Sequence, residues 1–338
     1  MRAVQFHGPG RPVTLEDIDR PAPGPGQVLV EVEAAGVCGT ELHFLDGLLT
    51  PARTPIVLGH EVAGRVAELG AGVSGWTTGD RVAVHYFHPC RHCRPCRTGA
   101  EHLCDAPEGF LAFVTDGGFA EYVCVPASAL VGVPEGLSAA EAAPLCCSAT
   151  TALHALGIAE LAVGDSAVVY GCGGVGLALV QVLKLAGVRS IAVSRSAAKL
   201  ERARALGAEV AIDASDGRVA EQVRDATGGR GAETVFELVG TAATMRESVA
   251  ALGKRGRLVF VGYSFDAFEV SPLALVVPEL SIRTSVGNTH AELADVLALA
   301  ADGRLEPVIH EVAPLSDAER VLGDLAAGRV VGRSVLAP

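Results

Sequence analysis

The stretch AVVYGCGGVG at residues 167–176 decides the fold of the second half of this chain. Residues typical of a buried strand lead directly into a glycine-rich turn, and an apolar helical pattern continues to residue 186. Strand, G-x-G-x-x-G and helix in this order are the fingerprint of a dinucleotide-binding fold, because the glycines permit the turn, the approach of a pyrophosphate and close helix packing. The helix N-terminus then faces the phosphates. The dinucleotide-binding residues predicted here are Gly171, Gly173, Gly174, Val175 and Gly176.

Strands and helices alternate after this stretch. Short strands are predicted over 190–193, 209–212, 234–238, 257–261 and 280–286, and helices over 197–206, 218–226 and 244–252. Together with the strand at 167–170 they make six strands joined by crossover helices, which predicts a doubly wound parallel sheet of the Rossmann type.

The first half of the chain has a different pattern. Short alternating strands such as 27–33 are separated by Gly, Pro, Asp and Ser, which predicts a compact β-barrel. At 338 residues the chain is long enough for two cores. We therefore expect an α/β protein with a β-rich domain over 1–150, a dinucleotide domain over 151–288, and a segment over 289–338 that returns to the first domain.

The composition limits the partners. A formal charge of -12 argues against binding to nucleic acid or to an anionic membrane surface. No signal peptide is visible, and no run approaches the ~18 apolar residues of a membrane span, the best candidate being 176–186. We expect a cytoplasmic protein that acts on a small molecule. Its cysteines should be reduced, so their clusters indicate metal binding or catalysis.

The sharpest spacing in the sequence is Cys-x2-Cys-x2-Cys-x7-Cys, formed by Cys90, Cys93, Cys96 and Cys104. Four thiolates can close a tetrahedron around zinc with no open position, so we predict a structural zinc in a lobe over 85–105. Two disulfides or a redox pair are the alternative, which the expected compartment disfavours. The flanking histidines are expected at the surface, since four sulfurs saturate the metal: His85, His88, His92 and His102.

A second set of ligands is dispersed along the chain. Cys38 and His60 carry the softer donors that zinc prefers, and Cys147 is the candidate for a third. Three protein ligands with one open position are the pattern of a catalytic zinc, which would make two zinc ions per chain. Thr40 and His43 follow Cys38 closely enough to supply a hydroxyl and an imidazole beside the metal.

The end of the second strand of the dinucleotide domain indicates the cofactor. NAD-preferring folds place Asp or Glu there, against the ribose 2′-hydroxyl, whereas this chain has Ser194 and Arg195. Ser194 can hydrogen-bond a 2′-phosphate, and Arg195 can pair with it bidentately. We therefore predict a preference for NADP(H) over NAD(H). Alternatively, Arg195 points into solvent and the enzyme accepts both cofactors.

With these residues identified, the chain resembles the zinc-dependent alcohol dehydrogenases of the medium-chain dehydrogenase/reductase superfamily along essentially its whole length. The zinc signature is Gly59-His60-Glu61-x2-Gly64-x5-Gly70-x2-Val73, and further matches lie at 79–82, 117–122 and 328–333. The resemblance implies a GroES-like catalytic domain, a Rossmann domain, a cleft between them, and a homodimer or homotetramer. It also implies reversible hydride transfer between an alcohol and an aldehyde or ketone.

The resemblance implies roles for individual residues. Cys38, His60 and Cys147, rather than the adjacent Cys146, would hold the catalytic zinc, with Glu61 as a nearby carboxylate that sometimes exchanges as a ligand. Thr40 would touch the substrate oxygen, and His43 would lie at the far end of a proton relay through the ribose. The cofactor residues that it adds are Thr151, Val261 and Gly262 beside the nicotinamide and Lys199 at the adenosine ribose. Candidate substrate-pocket residues are Phe44, Leu48, Tyr86, Phe87 and Phe110.

Two other functions remain possible on this scaffold. One is reduction of a conjugated C=C or C=N bond in a biosynthetic intermediate, although reductases of quinones and enones in the superfamily usually lack the metal ligands found here. The other is a nucleotide-binding protein without enzymatic activity, in which an open three-ligand site with its relay would have no purpose.

Overall fold

The computed structural model describes all 338 residues and divides into two compact units. The first unit contains Met1–Thr150, Asn288–Gly303 and Pro307–Pro338, and the second contains Thr151–Gly287 and Arg304–Glu306. The strands of residues 1–150 are β1 (Arg2–Phe6), β2 (Thr14–Asp17), β3 (Gln27–Val37), β4 (Ile56–Val57), β5 (Glu61–Leu69), β6 (Arg81–Val84), β7 (Phe87–His88), β8 (Gly109–Phe110), β9 (Tyr122–Pro126) and β10 (Leu130–Gly132). The helices up to residue 159 are α1 (Gly39–Leu45), α2 (Arg94–Arg97), α3 (Ala139–Pro144) and α4 (Thr150–Ala159).

The second unit alternates strands and helices, as the sequence predicts. Its strands are β11 (Ser166–Tyr170), β12 (Arg189–Ser194), β13 (Val210–Asp213), β14 (Ala232–Glu237), β15 (Leu252–Phe260) and β16 (Ser281–Thr284). Its helices are α5 (Gly174–Leu185), α6 (Ala197–Leu206), α7 (Val219–Ala226), α8 (Ala242–Ala251) and α9 (Pro272–Val276). The remaining elements are α10 (His290–Ala301), β17 (Ile309–Pro314), α11 (Ala318–Ala326) and β18 (Arg333–Ala337).

The sheet of the second unit is parallel throughout, in the order β13-β12-β11-β14-β15-β16. From β11 the chain builds β12 and β13 toward one edge of the sheet. It then crosses back, so that β14 pairs with β11 on the opposite side from β12. Such a reversal opens a crevice at the carboxyl ends of the two central strands, where dinucleotides bind. The predicted α/β fold class is confirmed.

The main sheet of the first unit runs β10-β6-β5-β3-β18-β17, with β9 also paired to β3. Along β3 the apolar Val28, Val30 and Val32 are buried while Glu31 and Glu33 are exposed, the period of two that covers one face of a sheet. The carboxyl-terminal strand β18 pairs antiparallel with β3. The end of the chain is thus a strand of this sheet.

The longest apolar helical segment differs from the one expected. Residues Ala139–Ala159 form one helical run of 21 residues, and an 18-residue stretch of it has a mean hydropathy of 1.4. The run is long and apolar enough to cross a membrane by length and composition alone. The expected segment, 176–186, forms most of the shorter apolar helix α5. Since 67% of the apolar stretch within Ala139–Ala159 is buried within the protein, the longer run has the burial of a core helix.

Candidate metal centres and dinucleotide site

A buried polar cluster in the first unit consists of Cys38, His60, Glu61 and Cys147, whose ligand atoms all lie within 4.8 Å of one another. Cys38 is the N-cap of α1, and Cys147 follows α3. Glu61 is the first residue of β5, and His60 directly precedes it. Gly36 on β3 provides space, because a Cβ there would lie 2.0 Å from the Glu61 carboxylate. The fold thus brings together the three ligands predicted from sequence.

A π-helical turn, Leu145–Ala149, distinguishes Cys147 from its neighbour. Such turns change the spacing of side chains along a helix and often occur at functional sites. The Cys146 thiol donates to the carbonyls of Val62 and Ala142 at 3.5 and 3.6 Å. Burial raises the pKa of Cys146 to about 12, so it stays a neutral thiol in the core. Cys147 is therefore the ligand candidate of the pair.

Glu41 orients His60 and was missed in the sequence analysis. Its fully buried carboxylate lies 2.8 Å from His60 Nδ1 and also accepts the Cys38 backbone N–H at 2.8 Å. An Nδ1–H donated to Glu41 leaves the Nε2 lone pair available for a metal. The available signal was the carboxylate three residues after Cys38, since the two residues form a capping box on α1.

Arg333 supplies positive charge to the cluster and was also missed as a site residue. Its Nε lies 3.0 Å from Glu61 Oε1, and its Nη2 lies 3.2 Å from Cys38 Sγ. A hydrogen bond from Cys147 and the Arg333 charge lower the pKa of Cys38, although burial opposes them. Burial raises the pKa of Glu61 to about 7, with Arg333 opposing. Arg333 belongs to the matched motif at 328–333, but no residue of that motif indicates a contact with Glu61.

The donor set fits zinc. Two sulfurs, one imidazole and one carboxylate are the soft and borderline donors that zinc accepts. With both thiols ionised, the buried anions of Cys38, Cys147 and Glu61 would outnumber the one cation of Arg333. A divalent cation therefore matches the cluster in charge as well as in donor type.

Thr40 and His43 lie on α1 beside this cluster. Thr40 Oγ1 is 3.6 Å from Cys38 Sγ. His43 follows Thr40 by three residues on the same helix face, and its side chain is 25% exposed, with Nδ1 3.7 Å from Asp46 Oδ2. A hydroxyl near the metal ligands and a partly exposed imidazole one turn later are suited to passing a proton outward.

The histidines flanking the cysteine lobe include two that are not at the surface. His85 and His88 are buried, contrary to expectation, because His85 directly follows the buried strand β6 and His88 lies on β7. Burial lowers the pKa of both, that of His88 to about 4. His85 Nε2 lies 3.1 Å from Asn288 Oδ1, and Asn288 Nδ2 lies 2.9 Å from the Tyr86 hydroxyl. No pattern in the sequence indicated Asn288.

The five predicted pocket residues have different surroundings. The Tyr86 ring meets His60 edge-on, with centroids 5.4 Å apart, so it borders the metal cluster. Phe110 packs against both Tyr86 and Phe87 at 5.4 Å. Phe44 is fully buried between Phe6 and Phe113, and we assign it to the core. Leu48 is half-buried in the segment after α1.

The four cysteines of the lobe converge as predicted from their spacing. The Sγ–Sγ distances are 4.0 Å for Cys90–Cys96, 3.3 Å for Cys93–Cys96 and 3.8 Å for Cys93–Cys104. A tetrahedron with Zn–S bonds of about 2.3 Å has edges of about 3.8 Å. All nine cysteines of the chain are free thiols. The lobe is therefore shaped for one zinc ion with no open position.

The glycine loop has the geometry of a pyrophosphate cradle. Gly171 has φ +111°, and a Cβ on Gly176 would lie 2.0 Å from the Gly171 carbonyl oxygen. Gly173 is the N-cap of α5, with no side-chain cap and open space where a Cβ would stand. The first N–H groups of α5 therefore face this space and can bind phosphate oxygens.

The cofactor-selecting residues lie at the end of β12. Ser194 Oγ accepts the Ser196 backbone N–H at 3.2 Å, and Arg195 is exposed with no carboxylate partner. The acidic residue beside Ser194 on β13, Asp213, is engaged by Ser215 of its own turn at 2.6 Å. Burial lowers the pKa of Lys199 on α6. The residues predicted beside the nicotinamide occupy two places. Thr151 is on α4, whereas Val261 and Gly262 follow β15. The backbone N–H groups of Val261 and Gly262 both donate to the Glu237 carbonyl at 2.9 Å.

Comparison with known proteins defines the class. The family model described as the alcohol dehydrogenase GroES-like domain matches residues 24–135, and that described as zinc-binding dehydrogenase matches residues 174–302. Together with the fold and the cysteine–histidine cluster described above, these matches show that the chain is a zinc-binding dehydrogenase.

Individual relatives identify the family. The NAD-dependent alcohol dehydrogenase of Sulfurisphaera tokodaii is 36% identical, with 100% of both chains covered. The crystal structure of the Aeropyrum pernix alcohol dehydrogenase has a TM-score of 0.94 at 33% identity and 100% coverage of both chains. A zinc-binding dehydrogenase of Sinorhizobium meliloti 1021, bound to NADP, has a TM-score of 0.92 at 30% identity, with 100% of this chain and 99% of that chain covered. The chain belongs to the zinc-dependent alcohol dehydrogenases of the medium-chain dehydrogenase/reductase superfamily.

Proposed function

We propose that this alcohol dehydrogenase interconverts an alcohol and the matching aldehyde or ketone, with zinc in the buried cluster and NADP(H) favoured over NAD(H). The meeting of Cys38, His60 and Cys147, with Thr40 beside them, is the observation that supports it most. A panel of primary, secondary, aromatic and polyol alcohols, run with both cofactors, tests it. We expect carbonyl product and reduced cofactor in equal amounts, whereas turnover restricted to saturation of conjugated C=C bonds would contradict the proposal.

The chain's own residues prepare the metal position. Cys38, His60 and Cys147 would hold the ion, and Glu41 keeps the His60 ring in place through Nδ1. Zinc, when bound, supplies a Lewis acid that lowers the pKa of an alcohol and polarises a carbonyl. The Arg333 guanidinium lies 3.0 Å from the Glu61 carboxylate and balances its charge.

The proton and the substrate are handled by residues of α1 and its neighbours. In alcohol oxidation Thr40 would accept the substrate proton, and the partly exposed His43 would pass it to solvent. In carbonyl reduction the same two groups would return it. We propose Tyr86, Phe110, Phe87 and Leu48 as pocket-lining residues. Thr151, Val261 and Gly262 stay our candidates beside the nicotinamide, and Lys199 stays our candidate at the adenosine ribose.

The cofactor preference gives the first prediction. We expect kcat/KM to be higher with NADPH than with NADH, and Arg195→Leu to lower the NADPH value by about 10- to 100-fold, because a charge-assisted bond to the 2′-phosphate is lost. NADH values should change little. Arg202→Leu, on α6, is the matched control, because that guanidinium pairs with Glu306 instead. Equal or better turnover of the unsubstituted enzyme with NADH would contradict the preference. The Sulfurisphaera relative is named as NAD-dependent, so its name does not support the preference for NADP(H).

The cysteine lobe gives the second prediction. Cys96→Ala should remove one zinc per chain in elemental analysis and speed proteolysis within residues 85–105 by at least about tenfold, since zinc binding is coupled to local folding. Alcohol oxidation at low temperature should persist. Cys124→Ala is the control, because Cys124 lies on β9 outside both clusters. Unchanged zinc content in Cys96→Ala would show that the lobe does not hold the metal.

Self-association gives the third prediction. Leu273 and Val276 on α9 and Val277 at its C-cap are 71%, 72% and 73% exposed. The next strand along the chain, β16, is an edge strand that carries the exposed Ile282. Such apolar surface at a sheet edge marks an interface. We propose that a second copy covers it, giving a homodimer or homotetramer in light scattering.

The variants for this test are matched in chemistry. Val276→Glu with Val277→Glu should shift the protein to smaller assemblies, whereas Val163→Glu, at a single exposed valine of the same unit, should not. A monomer at micromolar concentration in the unsubstituted protein would contradict the proposal.

A further inference from the structure

A groove of about 550 Å³ in the second unit gathers four cationic side chains away from the glycine loop. They are Arg224 in the last turn of α7, Arg230 before β14, Arg246 on α8 and Lys254 on a bulge of β15. The groove borders the amino ends of β14 and β15, whereas the glycine loop follows the carboxyl end of β11. It is therefore a separate site on the sheet.

The cations of this groove are not neutralised by the protein. Several other arginines of the second unit pair with carboxylates, as in Arg189–Glu209 at 2.5 Å and Arg283–Glu160 at 2.8 Å, although Arg195 does not. Arg230, Arg246 and Lys254 make no ion pair or side-chain hydrogen bond. Arg224 is oriented by a bond of 2.6 Å from Nη2 to the Ala250 carbonyl.

These unpaired cations cluster in one groove although the chain as a whole carries a formal charge of -12. One carboxylate, Glu269, also lines the groove, so the cations exceed the anions there. The local field therefore attracts anions although the whole chain repels them.

The floor of the groove is apolar. Leu252 is buried, and Phe268 packs edge-on against Phe260 with ring centroids 5.6 Å apart. Guanidinium groups bind phosphate bidentately, while an apolar floor favours a ligand that carries a hydrocarbon or aromatic part. We propose that this groove binds a small organic phosphate, with the phosphate on Arg246, Arg230 and Lys254 and the apolar part on Phe268 and Leu252.

Calorimetric titration of the zinc-loaded enzyme with phenyl phosphate tests the proposal. The enzyme is first saturated with NADP⁺, so that the glycine loop is occupied. We expect one site per chain, weakened by added salt because exposed charges are screened. Inorganic phosphate should bind about tenfold more weakly, since it leaves the apolar floor uncovered. Arg246→Glu should lower the affinity for phenyl phosphate at least about tenfold.

Two further variants make the result decisive. Lys254→Glu, on a different element, should weaken binding as Arg246→Glu does, which keeps the test valid if one of them folds poorly. Arg204→Glu, on the exposed face of α6, changes the charge equally and should leave the affinity within about twofold. Phenyl phosphate that binds all variants equally, or that NADP⁺ displaces completely, would overturn the proposal.

Discussion

Replacement of Cys38 by alanine is expected to abolish alcohol oxidation while dinucleotide binding survives. The variant loses one of the three donors of the buried cluster, so elemental analysis should find one zinc per chain instead of two. A Lewis acid contributes several kcal/mol to the barrier, and about 1.4 kcal/mol is tenfold in rate, so kcat/KM should fall by at least about 10³-fold. Titration with NADPH should give an unchanged affinity, because the glycine loop lies in the second unit.

Cys146→Ala is the matched control for this variant. Cys146 is adjacent to Cys147 and also buried, but its thiol only donates to two backbone carbonyls. We expect this variant to keep both zinc ions and its turnover within about tenfold, with a moderate loss of stability from the small cavity. Loss of zinc in Cys146→Ala, with retention in a Cys147→Ala variant, would reverse the assignment of the third ligand.

Replacement of Arg333 by leucine is expected to destabilise the first unit by about 3–5 kcal/mol, the cost of leaving a buried carboxylate without its partner. Glu61 is fully buried, and Arg333 is the cation that contacts it. The single tryptophan, Trp76, lies in the first unit, so its fluorescence during urea denaturation of the zinc-loaded enzyme reports the free energy of unfolding of that unit.

The controls for Arg333 separate burial from charge. Arg65→Leu removes an exposed pair with Glu33 between β5 and β3 and should cost no more than about 1 kcal/mol. Adding Glu61→Gln to Arg333→Leu should recover part of the lost stability, because the unpaired carboxylate is gone. If Arg333→Leu costs no more than Arg65→Leu, the ion pair does not hold the cluster together.

The parts of the fold that follow from local pattern could be predicted from the sequence. The six parallel strands were found because each is a short apolar run between turn residues, and the helix 197–206 was predicted with the bounds that the structure gives. Cys90, Cys93, Cys96 and Cys104 were grouped by spacing alone, since all four lie within one lobe. The choice of Cys147 over the adjacent Cys146 needed the family resemblance, because the distance of either residue along the chain from Cys38 carries no geometric information.

The parts that depend on distant pairing could not be predicted. Arg333 reaches Glu61 only because β18 pairs with β3, next to the strand that carries Glu61. Asn288 meets Tyr86 across some two hundred residues of sequence, and nothing near either residue indicates the contact. Glu41 is different, because its position three residues after Cys38 was a usable signal that the capping-box pattern explains.

The most direct test of the zinc assignment is an anomalous difference map, recorded at the zinc absorption edge from crystals of the enzyme purified without chelator. We expect two peaks per chain: one surrounded by the sulfurs of the cysteine lobe, and one bonded to Cys38 Sγ, His60 Nε2 and Cys147 Sγ. A map with the lobe peak present and no zinc between Cys38, His60 and Cys147 would contradict the catalytic assignment.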